Sequence, residues 1–227
     1  MGTQLPYVPT RGEVRALLAR PPAHTLVGIR NRAVMEAMYR AGLRVSEVVN
    51  LLDRDVDFDR DMLMLRHTKR GKSRNVPFDE RLRAWLLAWR DLRDRSGIVS
   101  PSGYFFCNWK GGRLWKHYIW QFVVRYAEEA RLPIGDRDAG RDGMHPHTLR
   151  HAYATELLSE GFNLVEIAAL LGHSSVKTTE RYTHIMPQHL ANKIRMRLKD
   201  QADPYAVDRE EVGPGANELA ELLARDK

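Results

Sequence analysis

The side chains best suited to chemistry gather in four short segments at predicted helix starts or tight turns. The first segment is AGLRVSE, residues 41–47. Arg44 follows Gly42 at the opening of a predicted helix, where a guanidinium and free backbone amides can hold one phosphate group. The alternative is an ordinary surface arginine that pairs with Glu47.

A basic turn from Lys69 to Arg74 forms the second segment. Short apolar runs flank it, Met62 to Leu65 before and Asn75 to Phe78 after. Two strands joined by such a turn make a ribbon that can enter a DNA groove and carry a lysine to a reacting oxygen. An ordinary solvated hairpin would have the same pattern.

The third segment is MHPHTLRH, residues 144–151. His147 and Arg150 are three residues apart on a predicted helix and therefore share one face. A histidine exchanges protons near neutral pH, and an arginine can clamp a phosphate with two hydrogen bonds. A structural histidine is one alternative. A metal site from His145, His147 and His151 is another, but no nearby cysteine completes it, so no metal is expected.

The fourth segment is LGHSSVKTTERYTHI, residues 171–185. It places Tyr182 nine residues after His173, which itself follows a glycine at a predicted helix end. Taken alone, Tyr182 has the pattern of a core or surface aromatic residue, and His173 that of a helix cap.

Helix signals dominate the elements that must position these segments. Thr10 with Glu13 predicts a capping box for a short first helix, and Asn163 with Glu166 predicts a similar cap later in the chain. Further helices are predicted over 26–40, 44–51, 79–95, 114–131, 147–160, 163–171, 175–183 and 187–199, with glycine stops at Gly42, Gly161 and Gly172. Strands are predicted over 62–65, 75–78 and 104–107.

The four segments, in this order, resemble the tyrosine recombinase (integrase) family, and within it the Xer-like members. The phrases that carry the resemblance are AGLRVSEVVNL, TKRGKSRNVPF, HPHTLRHAYATELLSEG and LGHSSVKTTERYTHI, and it runs from about Thr10 to Leu198. It implies a mainly α fold with a small antiparallel β-sheet (α+β), the catalytic-domain fold of DNA breaking–rejoining enzymes.

The resemblance also implies a mechanism in which Tyr182 attacks the scissile phosphate and leaves a 3′-phosphotyrosyl enzyme. Arg44 and Arg150 would hold the non-bridging oxygens, and His147 would be the general acid/base. Lys69 would protonate the leaving 5′-oxygen, with Lys72 as an alternative. His173 would hydrogen-bond the phosphate or orient the site. The set of residues expected to contact DNA is Arg70, Lys72, Arg74 and Lys177.

Domain organisation follows from the same resemblance. Residues 1–200 are expected to form the catalytic domain, and residues 201–227 a linker and C-terminal helix. That helix is expected to pack on a neighbouring protomer in a tetramer on DNA, or on the body of its own chain. No N-terminal clamp domain is expected, because the resemblance to the catalytic domain begins almost at once. Since the phosphotyrosine conserves the bond energy, no ATP and no metal cofactor are expected.

Charge and composition agree with a polyanionic partner. The last 28 residues hold eight acidic and three basic side chains, which leaves +12 on residues 1–199 out of a net charge of +7. One cysteine and the absence of any long apolar run favour a cytoplasmic protein away from membranes. The DNA partner that the resemblance implies makes it a nucleoid-associated one. The alternatives to a site-specific recombinase that binds double-stranded DNA are a type IB topoisomerase-like enzyme and a non-catalytic DNA-binding regulator.

Overall fold

Seven α-helices and one three-stranded sheet make up the described part of the chain. The computed structural model describes residues 7–66, 73–135, 143–160 and 162–172. The helices are α1 (Arg11–Leu18), α2 (Leu26–Arg40), α3 (Val45–Val48), α4 (Glu80–Arg95), α5 (Lys116–Glu129), α6 (Pro146–Ser159) and α7 (Leu164–Leu171). The strands are β1 (Val56–Asp57), β2 (Met62–Leu65) and β3 (Arg74–Pro77). The prediction of a mainly α chain with a small antiparallel sheet is confirmed.

Helix α2 lies at the centre of the core. It packs most extensively against α4 and α6, so it is apolar on more than one face and almost entirely buried. From α4, the predicted face of Trp85, Leu86, Trp89 and Leu92 is buried as expected. The indole nitrogen of Trp89 donates to the carbonyl of Phe105 at 2.8 Å, which ties the loop after α4 to the core.

The sheet is antiparallel in the order β1–β2–β3. Leu63 pairs with Val56 on one side and with Val76 on the other, and all three side chains are buried. The predicted strands at 62–65 and 75–78 are therefore confirmed to within one residue. Of the basic turn predicted from Lys69 to Arg74, residues 69–72 lie outside the described residues, whereas Arg74 is the first residue of β3.

The strand predicted over 104–107 is wrong. Tyr104 and Cys107 each form one isolated bridge, with Leu52 and Arg113, and the third strand of the sheet is β1 instead. The bridge between Leu52 and Tyr104 does not continue as a pair of strands. The chain after Leu52 forms a single 3-10 turn, Asp53–Asp55, and therefore offers no extended partner. Two-residue β1 was too short to give an alternating pattern.

Helix ends follow the cap signals of the sequence. Thr10 and Glu13 form the predicted capping box, and Asn163 does the same with Glu166. Gly172 ends α7 in the left-handed conformation, as predicted, whereas Gly161 and the helices predicted over 175–183 and 187–199 lie outside the described residues. Within the described ranges, no helix has both the length and the apolar character needed to cross a membrane.

The turn after α2 determines where Arg44 lies. Gly42 has a φ of +61°, and a Cβ there would lie 2.6 Å from Tyr153 Cδ1 and 2.8 Å from Leu171 Cδ2. Only glycine combines this conformation with such close packing against α6 and α7. Arg44 then caps α3, which is four residues long rather than the predicted eight.

Replacing Gly42 with alanine should therefore destabilise the fold for two reasons. We expect G42A to lower the free energy of unfolding by about 3 kcal/mol, from the left-handed backbone together with overpacking. Urea unfolding followed by circular dichroism measures this loss.

The matched control is G103A. Gly103 has a φ of +70°, but a Cβ there would meet nothing within 4 Å. Only the conformational cost of about 1 kcal/mol then applies. Equal losses in the two variants would show that the packing of Gly42 against Tyr153 and Leu171 contributes nothing.

Candidate active site

Three arginine side chains converge on the carboxylate of Glu47. We call Arg44, Glu47, Arg74 and Arg150 the Glu47 cluster. Arg44 Nη1 and Arg74 Nη1 lie 2.8 and 2.6 Å from Glu47 Oε1, and Arg74 Nη2 lies 2.9 Å from Oε2. Arg150 Nη1 is 3.7 Å from Oε2. The cluster joins α3, β3 and α6 at one point.

The cluster has more positive than negative charge. Burial on its own would raise the pKa of the Glu47 carboxyl, but the hydrogen bonds and charge of Arg74, the backbone N–H of Arg44 and the charge of Arg150 lower it below its usual value. Glu47 is therefore ionised at neutral pH and balances only one of three guanidinium groups. The surplus of about two positive charges suits an anion such as a phosphate.

Arg150 is the most deeply buried of the three arginines, with 7% of its side chain exposed. Its guanidinium donates to the carbonyls of Gly42 and Leu171, so it links the turn after α2 to the end of α7. Burial first, and then the charge of Arg44, lower the pKa of Arg150 to about 9. Arg150 stays charged at neutral pH.

Arg44 is the most exposed arginine of the cluster, with 25% of its side chain accessible against 10% for Arg74. Arg44 pairs with Glu47, as the alternative of an ordinary surface arginine also predicted. The carboxylate of Glu47, however, is buried. Arg44 Nη2 also donates to the carbonyl of Gly172 at 3.1 Å. Pairing therefore positions Arg44 at the rim of the cluster instead of excluding it from chemistry.

His147 lies at the start of α6, one turn before Arg150. Its backbone N–H donates to Nδ1 of His145 at 3.1 Å, and Pro146 occupies the first position of the helix. The ring of His145 stacks on Trp120 of α5, with 5.1 Å between centroids and an interplanar angle of 12°. The stack and the cap together fix the helix start that carries His147.

The imidazole of His147 is neutral at neutral pH. Partial shielding of the ring from water lowers its pKa below the usual value, and the positive charges of His151, Arg150 and Arg44 lower it further. A neutral imidazole beside a positively charged cluster can accept a proton from a nearby acid.

The structure thus brings together four of the residues singled out from the sequence: Arg44, Arg74, His147 and Arg150. Arg74, predicted to contact DNA, has all of its described hydrogen bonds inside the protein. The predicted site residues that lie outside the described residues are Lys69, Arg70, Lys72, His173, Lys177 and Tyr182.

Glu47 is the residue whose role the sequence analysis missed. A signal was present, since Glu47 stands three residues after Arg44, the spacing of a helix-start carboxylate. Its side chain accepts from the backbone N–H of Arg44 at 2.8 Å. The sequence does not show that the same carboxylate also binds Arg74 and lies near Arg150, which are 27 and 103 residues away.

A second missed feature is an exposed strip on and before the start of α5. Trp109 and Trp115 are 72% and 76% exposed, and exposed basic residues accompany them, namely Lys110, Arg113 and Lys116. Lys116 precedes Trp120 by one helical turn and so lies on the face of α5 that stacks on His145. One basic residue of the strip therefore lies on the face of α5 that contacts His145, two residues before His147.

The lowered pKa of His147 makes stability depend on pH. Below about pH 6.5 the unfolded chain binds a proton at this position more readily than the folded chain does, so stability falls as the pH drops through that value. We expect H147Q to lose less free energy of unfolding than the unsubstituted protein between about pH 7.5 and about pH 5.5. Urea unfolding at both pH values measures the difference.

The same experiment at about pH 8 serves as the control, because His147 is neutral there in both the folded and the unfolded chain. Any difference at that pH reports only the change of side chain. Identical pH profiles for H147Q and the unsubstituted protein would contradict the lowered pKa.

Solved structures of recombinases share this fold. The XerA recombinase superposes with a TM-score of 0.64 at 24% sequence identity, over 88% of this chain and 66% of the other. The XerH site-specific recombinase, bound to a palindromic difH substrate in a post-cleavage complex, gives a TM-score of 0.62 at 24% identity, over 86% of this chain and 54% of the other. These likenesses confirm the predicted catalytic-domain fold.

Curated sequences agree with the structural likeness. The tyrosine recombinase XerD of Ralstonia nicotianae is 36% identical over 193 residues, which is 82% of this chain and 59% of the relative. The tyrosine recombinase XerC of Chlamydia caviae is 32% identical, over 89% of this chain and 61% of the relative. The chain thus spans about three fifths of the length of these relatives. The profile of the phage integrase family matches residues 10–189, and the chain belongs to that family.

Proposed function

We propose that this chain is the catalytic part of a site-specific DNA recombinase that cleaves and rejoins DNA strands through Tyr182. The observation that carries the proposal is the Glu47 cluster, whose surplus positive charge lies beside the neutral imidazole of His147. A phosphodiester needs such a pocket of fixed cations, because negative charge builds up on its non-bridging oxygens in the transition state.

In the proposed reaction the phenolic oxygen of Tyr182 attacks the phosphorus, and the bond from phosphorus to the 5′-oxygen breaks. His147 takes the phenolic proton, and Lys69 gives a proton to the departing 5′-oxygen. Arg44 and Arg150 hold the non-bridging oxygens. The products are a 3′-phosphotyrosyl bond and a free 5′-hydroxyl, and reversal of the step rejoins the strand. Since the bond energy is conserved in the phosphotyrosine, ATP has no part in the step.

Two connections along the sequence support the roles proposed for His173 and Lys69. The carbonyl of Gly172 binds Arg44, and His173 is the next residue in the sequence, so a role at the phosphate suits it. Arg74 begins β3 inside the Glu47 cluster, and Lys69 stands five residues before it. Gly172, which precedes His173, and Arg74, which follows Lys69, therefore both lie at the Glu47 cluster, where the reaction would take place.

The relatives support the choice of reaction. The two curated relatives are tyrosine recombinases, and the XerH structure is a complex with a difH substrate after cleavage. Other solved neighbours are transposon integrase complexes with DNA. For this chain we propose double-stranded DNA as the substrate.

The exposed strip before and on α5 extends the proposed DNA surface. Exposed basic side chains suit the phosphates of a nucleic-acid backbone, and residues 1–199 carry a charge of +12. We further propose that residues 201–227 mediate assembly of a tetramer on DNA, and that the protein is nucleoid-associated in the cytoplasm. Residues 201–227 lie outside the described residues.

The covalent step is tested with a nicked suicide substrate that traps cleaved DNA. We expect a protein–DNA adduct that survives denaturation, and we expect Y182F to abolish it, because phenylalanine has no nucleophilic oxygen. Denaturing gel electrophoresis with labelled DNA measures the adduct. An undiminished adduct in Y182F would rule out Tyr182 as the nucleophile.

The same proteins discriminate between the related activities. Exchange of strands between two copies of a target site supports recombination. Relaxation of supercoiled plasmid without exchange would indicate topoisomerase-like chemistry, and DNA binding without any adduct would indicate a regulator.

Lys116 tests the proposed DNA surface. We expect K116A to weaken binding across sequences and to reduce the slope of log affinity against log salt by about 1, as the loss of one phosphate contact does. Fluorescence anisotropy over a salt series measures the slope. The control is R60A. Arg60 is exposed in the turn between β1 and β2. This turn precedes Met62, whereas Arg74 pairs with Leu65 at the other end of β2. Equal slopes in the two variants would exclude Lys116 from the DNA surface.

A further inference from the structure

Arg74 is the first residue of β3, in a segment whose basic side chains were predicted to contact DNA. Its guanidinium points into the protein instead. Nε donates to the carbonyl of Leu170 at 2.9 Å, and the two terminal nitrogens bind the two carboxylate oxygens of Glu47 at 2.6 and 2.9 Å. All three nitrogens of one planar group therefore have partners within the fold.

The surroundings of Arg74 leave little room for another arrangement. Its side chain is 10% exposed. A Cβ on Gly172 would lie 2.8 Å from Arg74 Nη1 and 2.9 Å from Cδ, so the end of α7 packs directly on the guanidinium stem. The carbonyl of the same Gly172 accepts a hydrogen bond from Arg44. Arg74 thus contacts both groups that hold Arg44 in place, Glu47 and Gly172.

We propose that Arg74 is a positioning residue for the cleavage reaction, acting through Glu47 rather than on DNA. The fork of two parallel hydrogen bonds fixes the plane of the Glu47 carboxylate. Oε1 is then directed at Arg44 Nη1, and Oε2 at the backbone N–H of Arg44 and toward Arg150. Both arginines that are proposed to hold the phosphate therefore depend on one orientation that Arg74 sets.

Lysine is the informative replacement, because it keeps the positive charge and loses the fork. A lysine ammonium can bind one carboxylate oxygen but cannot fix the plane of the carboxylate or also reach the carbonyl of Leu170 in the same geometry. A direct phosphate contact, by contrast, would tolerate lysine well, since lysine also binds phosphate as a point charge.

The inference rests on the proposed DNA cleavage, and R74K tests it by separating rate from binding. We expect the rate of adduct formation at saturating DNA to fall at least about tenfold, because small misplacements of the groups around a reacting centre are costly. The DNA affinity and its salt slope should stay as in the unsubstituted protein. Cleavage at the unsubstituted rate in R74K would show that the charge of Arg74 is enough, as for a direct phosphate contact, and would overturn the proposal.

The matched control is R93K on α4. Arg93 is 7% exposed in its side chain, binds Asp53 at 2.7 Å, and donates to the carbonyl of Phe105 at 3.1 Å, so it resembles Arg74 in its own burial and in binding a carboxylate and a backbone carbonyl. It lies outside the Glu47 cluster, and its partner Asp53 is more exposed than Glu47. We expect R93K to lower the melting temperature and to leave the cleavage rate unchanged. An equal fall in rate would mean that general destabilisation explains the effect.

Coupling to Glu47 gives a second readout. If Arg74 acts through Glu47, R74K should add little to the loss that E47Q causes by itself, so the double variant should cleave about as fast as E47Q. Losses that multiply in the double variant would show that Arg74 acts independently of Glu47.

A third readout does not depend on cleavage. In ¹⁵N spectra of the arginine Nε–H groups, R74K should shift the signals of Arg44 and Arg150, whereas R93K should leave them in place. Unchanged Arg44 and Arg150 signals in R74K would overturn the positioning role. If the unsubstituted protein forms no adduct, the proposed function fails, and these spectra still decide what Arg74 does.

Discussion

One buried carboxylate determines the arrangement of the candidate site. Glu47 is 5% exposed and has three guanidinium groups within 4 Å, from the N-terminal cap of α3, from β3 and from α6. Removing one partner of a buried ion pair costs about 3–5 kcal/mol, because the remaining charge stays buried without compensation. Here the removal of Glu47 would leave three like charges together. The positions of the three elements relative to one another are therefore strongly constrained by this one side chain.

Backbone carbonyls also bind the arginines of the Glu47 cluster. The arginines of the cluster donate to the carbonyls of Gly42, Leu170, Leu171 and Gly172, which come from the turn after α2 and the end of α7. The end of α7 is a suitable acceptor, because the last carbonyls of a helix have no partners within it and carry a partial negative charge. Fixed dipoles thus hold the cations without neutralising them, and the surplus positive charge of the cluster remains.

Packing in the apolar core also holds the elements of the Glu47 cluster in place. Helix α2 packs on α4 and α6 and therefore holds α6, with His147 and Arg150, against the turn that carries Gly42 and Arg44. His145 and Trp120 attach the same helix start to α5. A cluster of like charges is unfavourable for folding by itself, and the extensive apolar packing of α2 offsets that cost.

Local features could be predicted along the chain, namely the caps at Thr10 and Asn163, the apolar face of α4, the two main strands and the order of the four motifs. These depend on neighbouring residues and on periodicity, so they can be read along the chain. Three other features became visible in the folded structure alone: Glu47 lies beside Arg150, 103 positions away, Arg74 faces inward, and the segment at Tyr104 forms bridges instead of a strand. These features depend on which charges and carbonyls meet across the core, and nothing in the local pattern around Arg74 or Tyr104 records their distant partners.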